Sequence, residues 1–356
     1  KGAGMAAAWR QGAATASPSL RKSRWRSKPS LGLPEGLCSF AGNLSQFRAL
    51  AQRLRPSADA AMAPYRSPQL LADIDLLDLL ELAGSTVRAA PLLKLSQPTV
   101  SRRRRRLVEE LGLAASSSLT QGDGACLRLL RRAAQCHRLD AGVWRLGGDG
   151  WCLDPAMDPA TLLAVPQRFA PLSHWQGLVE AHVLDGAVID GHGLRLVAAG
   201  VEPSTEGSIS WLGCLAVPLA EVPMTLLARR DPTASTASPL EPWQEVQMPA
   251  LSSCSALAME VRQRQLLPVH HDRAGSDPRP WLDLLLPAGA LTLATPLWQR
   301  QLQRSSMEPL QAIALPRPLH TDLWLLVHRR AWERQPVLRQ LAANLAQSIS
   351  ECIAQV

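Results

Sequence analysis

The chain has 356 residues, 46% of them hydrophobic, which allows two or three domains with ordinary buried cores. No stretch approaches the roughly 18 uninterrupted apolar residues of a membrane-spanning helix, and seven scattered cysteines without a C-x-x-C pair argue against both a disulfide framework and a structural zinc site. The formal charge is +8, yet residues 1–66 hold 11 Lys and Arg against 2 Asp and Glu, leaving −1 for the remainder, so total charge identifies no partner.

Residues 1–66 are rich in Ala, Ser, Arg, Gly and Pro, with a short helical pattern at Leu44 to Leu54, and are expected to be mostly disordered. Their first 34 residues lack an acidic side chain, as organelle transit peptides do. Two other readings stand beside that one: a basic tail with nonspecific DNA affinity, and a segment outside a working protein that begins near Met62. Asp73, Asp75, Asp78 and Glu81 then load a first helix with negative charge.

The segment from Arg88 to Leu113 reads as a short helix, a tight turn and a second helix. Ser96 is a good N-cap, with its hydroxyl free to accept from an N–H near Thr99, and Pro98 falls in the first turn, where its missing donor costs nothing. Val100, Leu107 and Leu111 recur at i, i+7 and i+11 and form the docking stripe. The opposite side offers Ser96, Gln97, Pro98, Thr99, Ser101, Arg102, Arg103, Arg105 and Arg106. Backbone N–H groups at a helix start suit a phosphate, and Gln and Arg suit base edges in the major groove. Five arginines in a row advance about 100° each, so they circle the helix, and Arg104 is the one expected to point inward. A solvated face or a general polyanion patch is the plain alternative for such a run.

Paired Ala89 and Ala90, Leu93, Leu95, then Ser96-Gln-Pro-Thr-Val-Ser-Arg102 and Leu107-Val-Glu-Glu-Leu-Gly112 resemble the winged helix-turn-helix of LysR-type transcriptional regulators. The resemblance implies helices at Ile74 to Ala83, Val87 to Leu93 and Gln97 to Leu111. Departures are Thr86 in place of a buried aromatic, Pro91 inside the second helix, Arg104 on the core stripe, and a wing reduced to Ala114, Ala115, Ser116 to Ser118, Leu119 and Thr120.

Beyond it, Ala125 to Asp140 has the spacing of an amphipathic helix. The resemblance makes it a subunit-pairing linker; packing inside its own chain is the other reading. Val143 to Leu146 reads as a strand before a Gly-Gly-Asp-Gly loop, with a helix around Pro159 to Phe169 and a second strand at Leu178 to Val183, after which Leu184-Asp185-Gly186 leads into Ala187 to Asp190. Leu284 to Pro296 resembles the helix, glycine turn and strand late in the effector domain of the same family. Asp322 to Val327 and Pro336 to Ile353 resemble its last strand and closing helix.

The implied fold is α/β overall: an N-terminal winged helix-turn-helix, a linker helix, and a two-lobe α/β effector domain like the type II periplasmic binding proteins. The borders are 1–66 for the extension, 67–124 for the reader, 125–141 for the linker and 142–356 for the effector domain. Its first lobe takes 142–228 and 308–356, its second 229–307. Helix starts facing the cleft suit an anionic effector, which singles out Gly148, Asp149, Ser252, Ser253 and Ser255, although serines there also serve as plain caps.

His270-His271-Asp272 alternates across a strand and is a weak metal candidate. No G-x-S-x-G, G-x-G-x-x-G, Walker A or H-E-x-x-H motif is present, so no catalysis and no cofactor are expected. Trp151, Trp175, Trp211, Trp243, Trp281 and Trp298 are core or cleft residues by type. The expected protein is a cytoplasmic regulator, not an enzyme. Its expected partners are promoter DNA, a small-molecule effector, further copies of itself in a dimer or tetramer, and RNA polymerase, with no membrane. The alternative is an α/β small-molecule-binding protein or enzyme whose helix-turn-helix is degenerate and does not bind DNA.

Overall fold

The computed structural model describes residues 68–355 apart from 114–124, 155, 158–161, 164–168, 199–200, 202, 205–206, 230–241, 250–253, 272–277, 288 and 316. The extension, the shortened wing, Ser252 and Ser253 lie outside the described residues.

Three helices open the described chain: α1 (Gln69–Ala83), α2 (Thr86–Leu92) and α3 (Gln97–Glu110). Helix α1 buries Leu71, Ile74, Leu76, Leu77, Leu80, Leu82 and Ala83, so it is apolar around most of its circumference and must be covered on two sides. One side meets Ala89, Ala90, Val100 and Leu107 together with Leu127 and Ala134 of α4 (Ala125–Asp140). The other side sends Leu79 and Leu82 against Leu172, Trp175 and Leu178 of α5 (Leu172–Glu180). The first helix is thus shared between the head and the α/β domain. Pro91 is accommodated one residue before the end of α2.

Helix α3 stops at a left-handed glycine, Gly112 at φ 62°, which a side chain would strain. The Gly112 N–H donates to Glu109 O at 3.2 Å and the Leu113 N–H to Val108 O at 2.9 Å, which closes the last turn and returns Leu113 to the head core.

The α/β domain has β1 (Trp144–Gly148), β2 (Leu162–Leu163), β3 (Gly186–Asp190), α6 (Gly191–Val197), β4 (Ile209–Trp211) and the sixteen-residue β5 (Cys214–Arg229). It continues through β6 (Glu245–Pro249), α7 (Cys254–Gln263), β7 (Leu267–His271), α8 (Arg279–Leu284), β8 (Leu291–Ala294) and α9 (Pro296–Ser305). It ends with β9 (Leu310–Ile313), β10 (Leu319–His328), α10 (Arg329–Arg334) and α11 (Pro336–Ala354).

One sheet runs β2-β1-β3-β10-β5-β8-β6-β7, with β4 and β9 also on β5. Its two halves repeat one plan. Strands β2, β1 and β3 are parallel and β10 joins them antiparallel; β7, β6 and β8 are parallel and β5 joins them antiparallel. The strand that closes each half comes from the far side of the chain. Strand β5 pairs through Met224 with β10 and from Thr225 with β8, while β9 pairs with Leu226 to Arg229. This is the two-lobe arrangement with crossing strands, and the second half takes in 225–229 and 310–313.

Two local expectations fail. Leu178 and Val179 lie in helix α5, not in a strand, because Trp175, Leu178 and Val179 fall at i, i+3 and i+4 and are all buried on one face. Leu162 and Leu163 form a short parallel strand on Trp144 and Arg145, where a helix was expected.

Candidate nucleic-acid interface and interlobe site

The start of α3 stands out from the head. Ser96, Gln97, Pro98, Arg102, Arg103, Arg105 and Arg106 are exposed, Thr99 and Ser101 are half-buried, and Val100 and Leu107 are buried beneath them. Arg104 is half-buried, unlike its four neighbours in the arginine run. The Ser96 hydroxyl meets the Thr99 hydroxyl at 2.8 Å and caps no backbone N–H, a departure from the simple N-cap expected. The first N–H groups of α3 therefore receive no bond from Ser96, and they sit beside Pro98 at the helix start.

The polar residues here differ in how committed they are. Gln97 donates its amide to the Thr86 hydroxyl at 3.0 Å, which orients it; Thr86 thus does polar work in place of an aromatic contact. Arg102 Nε reaches Pro98 O at 3.4 Å and leans toward the helix start. Arg106 pairs with Asp73 at 3.3 Å and Glu110 at 3.4 Å, so part of its charge is met inside the head. Arg103 and Arg105 have no carboxylate partner among the described residues.

A second feature lies behind the head. Asp75 and Asp78 of α1, Arg131 and Arg138 of α4, Arg145 of β1 and Asp185 before β3 form a buried six-residue ion network. Arg131 reaches Asp78 at 2.7 Å, Arg145 reaches Asp78 at 3.1 Å and Asp75 at 2.8 Å, and Arg138 reaches Asp75 at 3.4 Å. Arg138 also forks onto Asp185 at 2.7 and 3.0 Å, and the Arg145 backbone N–H donates to Asp185 at 2.6 Å. Three guanidiniums face three carboxylates, so the formal charges balance, with all but the partly exposed Asp75 buried. The expected acidic face of α1 is in part this internal clasp.

At the lobe junction, the loop after β1 meets α9. Gln301 Nε2 donates to Gly150 O at 3.1 Å and Leu153 O at 3.0 Å, the Thr295 hydroxyl donates to Trp151 O at 2.5 Å, and Arg304 pairs with Asp154 at 2.6 Å. Phe169 sits edge-on to Trp151, Trp281 and Trp298, with centroids 5.5–5.7 Å apart. A Cβ on Gly150 would come within 2.8 Å of the Trp298 ring, so only glycine lets the loop approach. Of the six tryptophans singled out, Trp151, Trp175, Trp281 and Trp298 are buried, Trp211 is half-buried and Trp243 is exposed.

Gly148 and Asp149 are both buried at this junction. A Cβ on Gly148 would come within 2.8 Å of Val188 O. One oxygen of Asp149, Oδ1, accepts from Ala170 N at 3.0 Å and Trp175 Nε1 at 3.1 Å. Burial pushes its carboxyl up to about 8 despite those two donors, with the nearby Asp190 charge adding to the rise. Ser255 is the second residue of α7, inside the helix that begins at Cys254. Sequence reasoning missed the polar atoms beside the aromatic cluster: the indole N–H groups of Trp281 and Trp298 and Oε1 of Gln299 are buried and find no partner among the described residues.

His270 Nδ1 donates to Pro249 O at 3.3 Å and His271 meets Gln247, while Asp272 is outside the described residues. No group of three metal-ligating side chains occurs among the described residues. No helix among them is long and apolar enough to cross a membrane.

No protein-family model matches the chain, and no curated protein does. Solved structures do. The LysR family regulator CbnR in complex with its target DNA is similar at 12% identity and a TM-score of 0.43, covering 78% of this chain and 99% of that one. OxyR of Pseudomonas aeruginosa is similar at 14% and 0.41, covering 81% and 96%. LysG of Corynebacterium glutamicum with bound effector Arg is similar at 15% and 0.37, covering 80% and 99%.

Proposed function

We propose that this chain is a DNA-binding transcription regulator of the LysR type, whose promoter binding is set by a small molecule held between the two lobes. The observation that carries the reading is the start of α3: a proline-led helix docked through Val100 and Leu107, with Gln97, Arg102, Arg103 and Arg105 exposed on the other side. Gln97 and Arg102 read base edges, Ser96, Pro98, Thr99 and Ser101 form the close-packed edge against the sugar-phosphate backbone, and Arg103, Arg105 and Arg106 supply phosphate contacts. A second copy pairs through the outward side of α4, where Cys126, Leu129 and Ala133 are exposed at helical spacing, and sets a second reading helix on a two-fold-related half-site.

The effector reading keeps Gly148 and Asp149, buried at the interlobe junction, and retains Ser252, Ser253 and Ser255 as candidates from the sequence alone. Its support is the set of unpartnered polar atoms on Trp281, Trp298 and Gln299, which suit a ligand with its own donor and acceptor. A ligand that prefers one lobe arrangement shifts the population of head positions. Trp298→Phe removes one of those donors, so a metabolite that raises the melting temperature of the parent chain is expected to do so less in the variant.

The test of the reader is a gel-shift series against salt with Arg102→Ala. If Arg102 reads a guanine edge, the variant loses ~1–3 kcal/mol and relaxes at one position; if it meets phosphate, the salt slope falls by about 1. A variant unchanged in both takes Arg102 out of the interface. The commitments of Gln97 to Thr86 and of Arg106 to Asp73 and Glu110 favour a second reading, a small-molecule-binding α/β protein with a head that no longer reads DNA. Retardation of upstream DNA in excess competitor separates the two, since only the first gives sequence-selective shifts.

A further inference from the structure

A separate cavity of about 100 Å³ opens between α4, the turn before β3 and α10, away from the lobe junction. A water takes about 30 Å³ of liquid, so the space admits a compact ion with its hydration. Arg132, Gln135, His182, His328, Arg330 and Arg334 line it. Almost every polar group they supply is a donor or becomes one on protonation.

No carboxylate is among the residues that line the cavity. Arg132, Arg330 and Arg334 are exposed and have no carboxylate partner among the described residues. His182 and His328 stack with ring centroids 4.6 Å apart and planes at 28°. His182 Nδ1 meets Gln135 Oε1 at 2.8 Å, which leaves Nε2 of Gln135, a residue only 2% exposed, buried without a partner. His328 Nδ1 is likewise buried without one. Burial first, then His328 and Arg132, drive His182 down to about 4. His328 is lowered by burial, then by Arg330 and Arg132, with Glu180 opposing. The carboxylate acting on His182 is Asp185, already forked by Arg138. The cavity therefore holds excess positive potential and buried nitrogen atoms without partners.

We propose that this cavity is a binding site for a small phosphate-type oxyanion. Guanidinium forks match the oxygen spacing of phosphate, and the Gln135 amide gains the acceptor it lacks. Lysine-like point charges would not impose that geometry, and an apolar ligand would leave the orphaned nitrogens unmet. An ion there bridges Arg132 and Gln135 of α4 to Arg330 and Arg334 of α10, tying the helix behind the head to the first lobe. The site does not depend on the DNA-reading assignment, and its test does not use DNA.

The test is calorimetric titration and thermal melting of the full chain with inorganic phosphate, in buffer matched for ionic strength with chloride. Saturable binding is expected, with a dose-dependent rise in melting temperature, and Arg330→Gln/Arg334→Gln is expected to bind at least about tenfold more weakly. Both arginines are exposed, so the variant should fold, and its melt without phosphate checks that it does. Glycerol phosphate distinguishes the source: binding of both supports a site that accepts a metabolite's phosphoryl group, and binding of inorganic phosphate alone supports one that encloses the free ion. No saturable heat beyond chloride, or equal binding by the double variant, overturns the proposal.

Discussion

Asp149 shows how a residue chosen on sequence as a ligand group can be taken up by the fold. Its carboxyl sits at about 8 because burial disfavours the charge, so it stays protonated in the folded chain at neutral pH, while in the unfolded chain it ionises near 3.8. The folded state then binds the extra proton, and its contribution to stability is full below the unfolded value and falls as pH rises toward about 8. Asp149→Asn keeps the acceptor for Ala170 N and Trp175 Nε1 and has no proton to lose. Chemical denaturation between about pH 5 and pH 9 is expected to give a flatter profile for the variant than for the parent. Identical profiles would mean that the proton lies elsewhere. The Gly147 to Gly150 loop was legible as a tight, ligand-like turn; that Ala170 and Trp175, 21 and 26 residues away, claim its carboxylate was not.

The elements most legible in the sequence were those whose local signals agree. Helix α3 is framed by Ser96, Pro98 and Gly112, and the glycine before β8 turns at φ 78° where the Leu284 to Pro296 phrase requires a reversal. Helix α5 misled because Leu178, Val179 and Val183 fit an apolar strand run as well as a helix face. Helix α4 misled in a different way. Arg131 and Arg138 are one heptad apart in a segment with amphipathic spacing, yet both are fully buried, because their carboxylates arrive from 47 to 63 residues away. Truncating one member leaves a guanidinium stranded in a dry setting, so Asp78→Ala is expected to cost about 3–5 kcal/mol in unfolding free energy. A loss under about 1 kcal/mol would show that water reaches the network and screens it as at a surface.

For the whole molecule, an α/β sheet was readable from the alternation of elements, and the two-lobe plan only as what the resemblance of the Leu284 to Pro296 and Asp322 to Ile353 segments to the LysR-type effector domain implies. The seat of the head against the first lobe was not, because it rests on both faces of α1. Leu77 and Leu80 face one core and Leu82 another. A head joined only by a flexible linker would melt separately. Here the shared helix and its ion clasp predict one cooperative transition for the head and first lobe in calorimetry, and Asp185→Ala is expected to lower that transition as a unit. Two resolved transitions in the parent chain would contradict the coupling.

Helix α1 also decides how a signal can travel. With one flank in each core, it gives the exposed start of α3 no wrist to flex at. If the chain pairs and reads DNA as proposed, a bound metabolite redirects the two α3 surfaces only by tilting whole bodies against each other, at the seam between copies.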